Sequence, residues 1–466
     1  MKKIIYITLL FCLGISAVKA QFPDIFRFDT QDTTGCEPFG DLTISGNTMY
    51  GMTNSCGTRG WGCIFTININ GTGYRNLFDF DGQNGGFPRG SLTLSGNSLY
   101  GMTNHGGAHY LGCIFSVNTN GNNYKILHSF NDTNGAGPQF NSSLVLIGKT
   151  LYGMVPGGGK YDSGCIFSID TNGSGFRNLF DFDIATGGHP WGSLIIFGSK
   201  FFGMTTIGGA GGKGTVFSID TNGNNYKVLL DFVGTNGYEP SGSLIMTNGK
   251  LYGMARSDTS YGLIFSLDTN GSNFNDLFDF VDGTDGDIQP EESGSLVLSG
   301  NKFFGMTTYG GNNNGVVFSI DTTGKEFKDL LFFDDSNGSQ PTGDVTLSGS
   351  VLYGMTSSGG IGGTSGVIFK LDTNALAGIG KLNINPNVIN LFPNPNNGRF
   401  ILSLQCIPQK TEISVYNILG EEVYLSSLNS TTTQIDLSGK AEGLYLFMVI
   451  TETGELVGQG KFVIQN

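Results

Sequence analysis

Four histidines occur in the chain: His105, His109, His128 and His189. His105-Gly-Gly-Ala-His109 sets two imidazoles four residues apart, the spacing that metal sites use on a helix. Here the stretch is Gly-rich and lies between two strand-like runs, and no third ligand accompanies it, so the zinc pattern is not met. His128 stands where related segments carry the first Phe of Leu-Phe-Asp-Phe, and it reads as a packing residue. No GxSxG elbow, phosphate-binding loop or HExxH helix is present. Carboxylates are clustered: Asp79-Phe-Asp81-Gly-Gln-Asn84, Asp181-Phe-Asp183, Asp279-Phe-Val-Asp282 through Asp287, and Asp334-Asp335. Clustered oxygen ligands suit Ca²⁺, which makes Asp79, Asp81, Asp282 and Asp285 the metal candidates, although none forms the twelve-residue EF-hand loop. Asp, Asn and Gly are also the ordinary chemistry of turns, and that reading is preferred. No other cofactor is expected. A pair of carboxylates brought together from distant loops would make a hydrolase, the alternative to a binding role.

Aromatic side chains in Gly-rich loops are the other candidates. Tyr110, Tyr161, Tyr261 and Tyr309 each lie in a loop between strand-like runs, where an exposed ring stacks on a sugar or anchors a protein partner. Variable loops on a rigid frame are how a scaffold presents recognition residues. These residues favour a non-enzymatic binding module for a glycan or protein. A structural surface protein without a specific ligand is a further alternative.

The frame that must position them repeats seven times. Tyr-Gly-Met or Phe-Gly-Met recurs at Tyr50, Tyr100, Tyr152, Phe202, Tyr252, Phe304 and Tyr353, at steps of 49 to 52 residues. Each unit holds four short apolar runs, such as Ser91–Ser95, Ser98–Thr103, Gly112–Val117 and Tyr124–Phe130. Runs of this length, rich in β-branched and aromatic residues and bounded by Gly, Asn or Asp, are strands. Gly96-Asn97 suits a tight hairpin, and Asn118-Thr-Asn-Gly121, repeated as Asp-Thr-Asn-Gly at Asp170, Asp220 and Asp268, suits an Asx-stabilised turn. One four-stranded meander cannot bury both faces alone, so units must stack. The large Tyr and Met of the motif read as core, and its Gly as a place where an adjoining sheet approaches.

The ends of the array fix its topology. Ile25-Phe-Arg-Phe28 is an orphan fourth strand, six complete units follow, and the seventh stops after Asp344–Ser348, Val351–Thr356 and Val367–Leu371. An N-terminal strand completing the last sheet accounts for both ends and leaves no unpaired edge. The expected fold is all-β: a seven-bladed β-propeller closed by N-terminal strand exchange over 21–375, then a linker at 376–390 and a small Ig-like β-sandwich over 391–466.

Composition agrees. Gly contributes 75 of 466 residues while 38% are hydrophobic, which is turn-rich β-structure rather than disorder. Residues 1–20 read as a signal peptide, with Lys2-Lys3, an apolar core and Val18-Lys19-Ala20 before Gln21. Removing it takes the formal charge from −13 to −16, since Lys2, Lys3 and Lys19 leave with it. Such a polyanion excludes nucleic acid and anionic membranes as partners, and no other apolar run is long enough for a transmembrane segment. Cys63, Cys113 and Cys165 share one position with Thr, Leu and Val in other units and read as buried thiols. Cys36 and Cys56 flank the first two strands of the first unit and are the disulfide candidate in an oxidising compartment. Cys406 has no evident partner.

The pattern Gly192-Ser-Leu194, Phe202-Gly-Met-Thr, Gly208-Gly209, Gly214-Thr-Val-Phe217, repeated at Gly294–Phe318, resembles the GloVer-type tandem repeat, which carries no settled activity. The last 75 or so residues resemble the type A C-terminal sorting domain of the type IX secretion system of Bacteroidota. Pro393-Asn394-Pro395, the segment ending at Gly420, Gly443-x-Tyr445 and Lys461-Phe-Val-Ile carry that resemblance in order. It implies that the type IX machinery is a partner and that the product is secreted or held at the outer cell surface.

Overall fold

The computed structural model describes residues 24–29, 33–138, 142–280, 294–311, 313–360, 365–373, 389–393, 396–404, 411–417, 421–451 and 456–465. The signal-peptide reading of 1–20, Asp282, Asp285, Asn394, Pro395, Cys406 and Gly420 therefore lie outside the described residues. Contacts divide the chain into two compact units, Met1–Thr373 and Asn374–Asn466.

The first unit is all-β, with seven four-stranded antiparallel sheets among the described residues. The first repeat supplies Thr43–Ser45, Thr48–Thr53, Cys63–Asn68 and Arg75–Asp79, and the second Thr93–Ser95, Ser98–Thr103, Cys113–Asn118 and Lys125–Ser129. In six sheets the strands follow in chain order. In the seventh, Thr346–Ser348, Val351–Thr356 and Val367–Asp372 are joined by Asp24–Arg27 from the other end of the unit. Phe26 sits opposite Ile368, and Arg27 opposite Val367. Sequence separation here exceeds 300 residues, so this pairing carries the highest loop-closure entropy in the unit.

The Gly of Tyr-Gly-Met works differently from the sequence expectation. Gly51 pairs with Phe65 across the sheet, and a Cβ on Gly51 would lie 2.4 Å from the Phe65 ring. The same clash, at 2.5 to 2.8 Å, recurs between Gly101 and Phe115, Gly153 and Phe167, Gly203 and Phe217, Gly253 and Phe265, Gly305 and Phe318, and Gly354 and Phe369. The missing side chain makes room for a Phe of the same sheet, not for the neighbouring one. These Phe rings are almost fully buried.

Repeat-to-repeat contact uses two other devices. One is a stacked aromatic pair between the fourth strand of one sheet and the aromatic beyond the turn of the next repeat. Phe78 lies on Tyr124 (3.8 Å, 5°), His128 on Phe176 (3.7 Å, 5°), Phe180 on Tyr226 (4.1 Å, 8°) and Phe278 on Phe327 (4.3 Å, 9°). Phe26 of the N-terminal strand makes the same stack on Tyr74 (4.3 Å, 4°). Aromatic pairs add about 0.5–1.5 kcal/mol each beyond the area they bury. Around that last pair, Phe28, Leu42, Met49, Phe65 and Ile67 share one buried cluster with Tyr353, Met355 and Ile368.

The second device is a belt of hydrogen bonds. The N–H of Asp41 donates to Ser91 Oγ, Ser91 to Ser143, Ser143 to Ser193, Ser193 to Ser243 and Ser243 to Ser295, at 2.7 to 3.1 Å. Ser295 N–H donates to the Asp344 carboxylate, and Asp344 N–H to the carboxylate of Asp41, where the series began. Thr346 Oγ1 also donates to the Leu42 carbonyl at 2.7 Å. The glycine before six of the seven belt residues (Ser142 precedes Ser143) permits this approach: a Cβ on Gly40 would meet the Gly90 carbonyl at 2.1 Å, and one on Gly343 the Gly40 carbonyl at 2.6 Å.

The second unit pairs a three-stranded sheet (Ile389–Phe392, Arg399–Leu404, Thr432–Asp436) with a four-stranded one (Glu422–Leu428, Thr411–Asn417, Gly443–Thr451, Leu456–Ile464). Alternate residues face a common core of Phe400, Leu402, Ile413, Val415, Ile435, Tyr445, Phe447, Val449 and Phe462.

Candidate functional site

In most repeats the segment that enters the first strand bridges back to the residue that follows the second. Cys36 pairs with Ser55, Gly86 with His105, Ala136 with Gly157, Gly188 with Ile207, Tyr238 with Arg256 and Ser339 with Ser358. That bridge sets Cys36 beside Cys56, and the two are joined by a disulfide with Cα atoms 5.3 Å apart. The loops between second and third strands start from these bridges, so a rigid hydrogen-bonded base carries each variable loop.

Two such loops, of the second and third repeats, and the segments that enter the third and fourth repeats line a cleft of about 310 Å³. The second repeat contributes Asn104, His105, Tyr110 and Leu111, the third Pro156 and Gly157, and the fourth His189 and Trp191. Several of these are held in place. Asn104 Nδ2 donates to the Pro138 carbonyl at 3.0 Å and its Oδ1 contacts His105 Nδ1 at 2.8 Å. Phe87 packs edge-on against the His105 ring. The N–H of His189 donates to the Ser163 carbonyl, and its own carbonyl accepts from Thr206 Oγ1 at 2.8 Å. Ser142 Oγ donates to the Trp191 carbonyl at 2.9 Å. The Tyr110 side chain, by contrast, is 63% exposed.

Of the four tyrosines expected to contact a ligand, only Tyr110 lines this cleft. Tyr161 is exposed beside Lys160, whose Nζ lies 4.8 Å from the ring centre. Tyr261 is exposed on the fifth repeat, and its N–H donates to the Phe280 carbonyl. Tyr309 is half-buried, and its carbonyl accepts from Thr307 Oγ1. Sequence reasoning passed over Trp191 and His189. The signal available for both was the segment His189-Pro190-Trp191-Gly192, which occupies the place of Glu37-Pro38-Phe39-Gly40 and Gln340-Pro341-Thr342-Gly343.

The acidic turns are committed within the fold. Asp79 accepts from the Thr58 N–H, the Thr58 hydroxyl and Asn76 Nδ2, while Asp81 accepts from the N–H groups of Gln83 and Asn84 and from Arg59. Asp181 and Asp231 receive the N–H of Lys160 and Ala210 in the same manner. These carboxylates fasten the fourth strand to the loop between second and third. Among the described residues no group of three His, Cys, Asp or Glu is arranged to hold a metal.

A different carboxylate pair is brought together at the belt, where Asp41 and Asp344 stand side by side. Burial raises both above the ordinary Asp value, and for Asp344 the neighbouring Asp41 charge adds to the rise. Each replaces a Ser that holds the equivalent position in the other five repeats. The thiols of Cys63 and Cys113 are buried beside Thr53 and Thr103, and burial pushes them up to about 12 and about 11, so they are inert as nucleophiles.

In the second unit, Pro393 follows a cis peptide bond. Asn396, not singled out from sequence, is buried and fixes the turn. Its N–H donates to the Val463 carbonyl, and its Oδ1 accepts from Gly398 N–H at 2.8 Å. Tyr445 stacks on Phe462 and donates to the Ala441 carbonyl at 2.7 Å, Gly443 holds φ of 152°, and Lys461 is exposed.

Repeated four-stranded sheets followed by a separate two-sheet unit define an all-β repeat protein. Residues 15–146, 141–291 and 255–379 match the Gloeobacter/Verrucomicrobia repeat, and the chain belongs to that family. Residues 390–465 match the secretion system C-terminal sorting domain, which directs export by type IX secretion to the cell surface or extracellular space. No curated protein matches the chain. Among solved structures, it is similar to a puromycin-hydrolyzing peptidase of Mycobacterium tuberculosis (9% identity, 81% of this chain and 61% of that one, TM-score 0.50). It is also similar to an extracellular domain assigned to a hybrid two component system of B. thetaiotaomicron (12%, 95% and 57%, 0.49). PorZ, a surface component of the type IX secretion system of Porphyromonas gingivalis, is a third (12%, 91% and 75%, 0.31). At these identities the likeness concerns the fold alone. No helix among the described residues is long and apolar enough to cross a membrane.

Proposed function

We propose that the repeats close into a seven-bladed β-propeller, sealed by strand Asp24–Arg27, and that this propeller acts outside the cell as a binding module. The return of the Ser/Asp belt to Asp41 supports the closed ring. A leader at 1–20 and a linker at 376–390 complete the domain plan. The observation that carries a binding role is the cleft at Tyr110, lined by residues of three repeats and open to solvent. Rigid walls with a few convergent polar groups are what small-ligand sites require. A screen of the purified full chain against glycan and protein arrays tests the reading, and silence on both would defeat it.

Asp41 and Asp344 give the competing hydrolase reading a physical candidate. Their carboxylates already accept backbone N–H groups of the belt, which favours a structural role. Turnover of a polysaccharide or ester panel, abolished in Asp344→Asn, would reverse that preference. A surface protein without a ligand remains the outcome if neither binding nor turnover is found.

A further inference from the structure

In a ring of near-identical repeats, residues that break the pattern mark what the frame does not need. The loop residue two before the third strand's leading Gly adopts a left-handed backbone in several repeats: Gly60 (φ 80°), Asp162 (53°), Gly212 (70°) and Asn313 (66°). These are residues suited to that conformation. The second repeat places Tyr110 there, at φ 60°. A bulky aromatic in the left-handed region is an outlier, and such outliers gather at ligand-contacting positions. Trp191 stands at a position that varies from repeat to repeat. Its counterparts are Phe39, Arg89, Ser241 and Thr342, and Trp occurs twice in the chain. Tyr110 and Trp191, with two of the four histidines, line one cleft.

We infer that this cleft binds one pyranose unit of a neutral glycan chain, with Tyr110 and Trp191 as the stacking surfaces and Asn104, His105 and His189 as the hydroxyl-binding groups. The inference rests on the binding-module reading and assigns it a place and a ligand class. An exposed aromatic beside a half-buried one suits the apolar C–H face of a sugar, while amide and imidazole groups pair with its hydroxyls. The volume lies at the low end of the range of about 300–1,000 Å³ for small-ligand sites, which fits one ring rather than a long stretch. None of the described lining residues is Asp, Glu, Lys or Arg, and the chain carries −13 overall, so an anionic glycan gains no partner here and is repelled at distance.

The test is calorimetric titration of the full-length protein with cellohexaose, laminarihexaose and mannohexaose, and with oligogalacturonate as the acidic control. The expected result is uptake of at least one neutral oligosaccharide and none of oligogalacturonate. Tyr110→Gly and Trp191→Ala should each weaken uptake at least tenfold, which is about 1.4 kcal/mol, while Tyr110→Phe, which keeps the ring, stays within about threefold. Circular dichroism confirms that each variant is folded. Undiminished binding by both truncations would remove the cleft and leave the module reading standing. Binding of oligogalacturonate alone, or of protein partners alone, would remove the neutral-glycan assignment. Failure of every glycan and every protein probe would remove both.

Discussion

The hydrogen-bonded belt and the cleft at Tyr110 obey opposite rules. At the belt, seven repeats solve one problem in one way: a backbone N–H reaches a side-chain oxygen of the next repeat, in six of them across a glycine. At the rim, three repeats contribute unlike residues, and one of them accepts a disfavoured backbone to present its ring. Uniformity marks what the fold requires of every unit. Departure from it, at a position where the frame would be better served by Gly or Asn, marks a requirement from outside the fold.

The contrast breaks most severely at the belt glycines. A Cβ on Gly90 would lie 2.0 Å from the Ser142 carbonyl, a backbone atom with no way to yield. Gly90→Val should leave little folded protein in a thermal melt, whereas Gly96→Ala, with open space around its φ of 57°, should lose only about 1 kcal/mol. Next comes the seam. Phe28 is fully buried between first and last repeats, so Phe28→Ala should lose about 3–5 kcal/mol by chemical denaturation. An undiminished midpoint would mean that the N-terminal strand does not hold the first and last repeats together.

Two titrating residues sharpen the comparison by making the uniform parts pH-dependent. Asp41 and Asp344 are raised from 3.8 mainly by burial, so folding favours their protonated forms. Their contribution is complete below the unfolded value and is lost as pH rises through the raised folded values. Asp344→Ser restores the belt residue of the other repeats. It should raise the melting temperature at pH 7 by about 2–4 °C per kcal/mol recovered, with the gain shrinking towards pH 4. His128 has the opposite sign. Burial lowers it from 6.5, and its Nε2 is buried without a hydrogen-bond partner, so stability is present above the unfolded value and lost as pH falls towards the lowered one. His128→Phe, which rebuilds the ring pair seen at Phe78 and Phe180, should match the wild type near pH 8 and be the more stable of the two at pH 5, read by chemical denaturation at both pH values.

Much of the frame was legible because periodicity is a local signal. Strand positions, hairpin turns and the orphan strand at Phe26 could be read from apolar runs and their spacing. The belt could not, since Ser91 in Gly-Ser-Leu looks like the first residue of a strand, and its partner lies 50 residues away. The same limit misassigned the Gly of Tyr-Gly-Met to contact between sheets, when its partner is a Phe on the next strand. For the cleft, the loop aromatics named only Tyr110. Trp191 and His189 lie in a segment that reads as a connector, and their convergence on Tyr110 depends on three repeats being placed side by side.

The smallest effect is also the most discriminating. If Tyr110 is retained for what it contacts, then Tyr110→Gly should be better folded than the wild type, because Gly60 and Gly212 show that the backbone there prefers Gly. The left-handed conformation penalises a non-Gly residue by about 1–2 kcal/mol, and the added freedom of Gly in the unfolded chain offsets about 0.4–1 kcal/mol of that. With 63% of the side chain in water, little packing is lost. The melting temperature should therefore rise by about 1–3 °C while the ring needed for stacking is gone. A fall in melting temperature would show that the ring packs down on the rim after all, and would return Tyr110 to the same structural account as the belt.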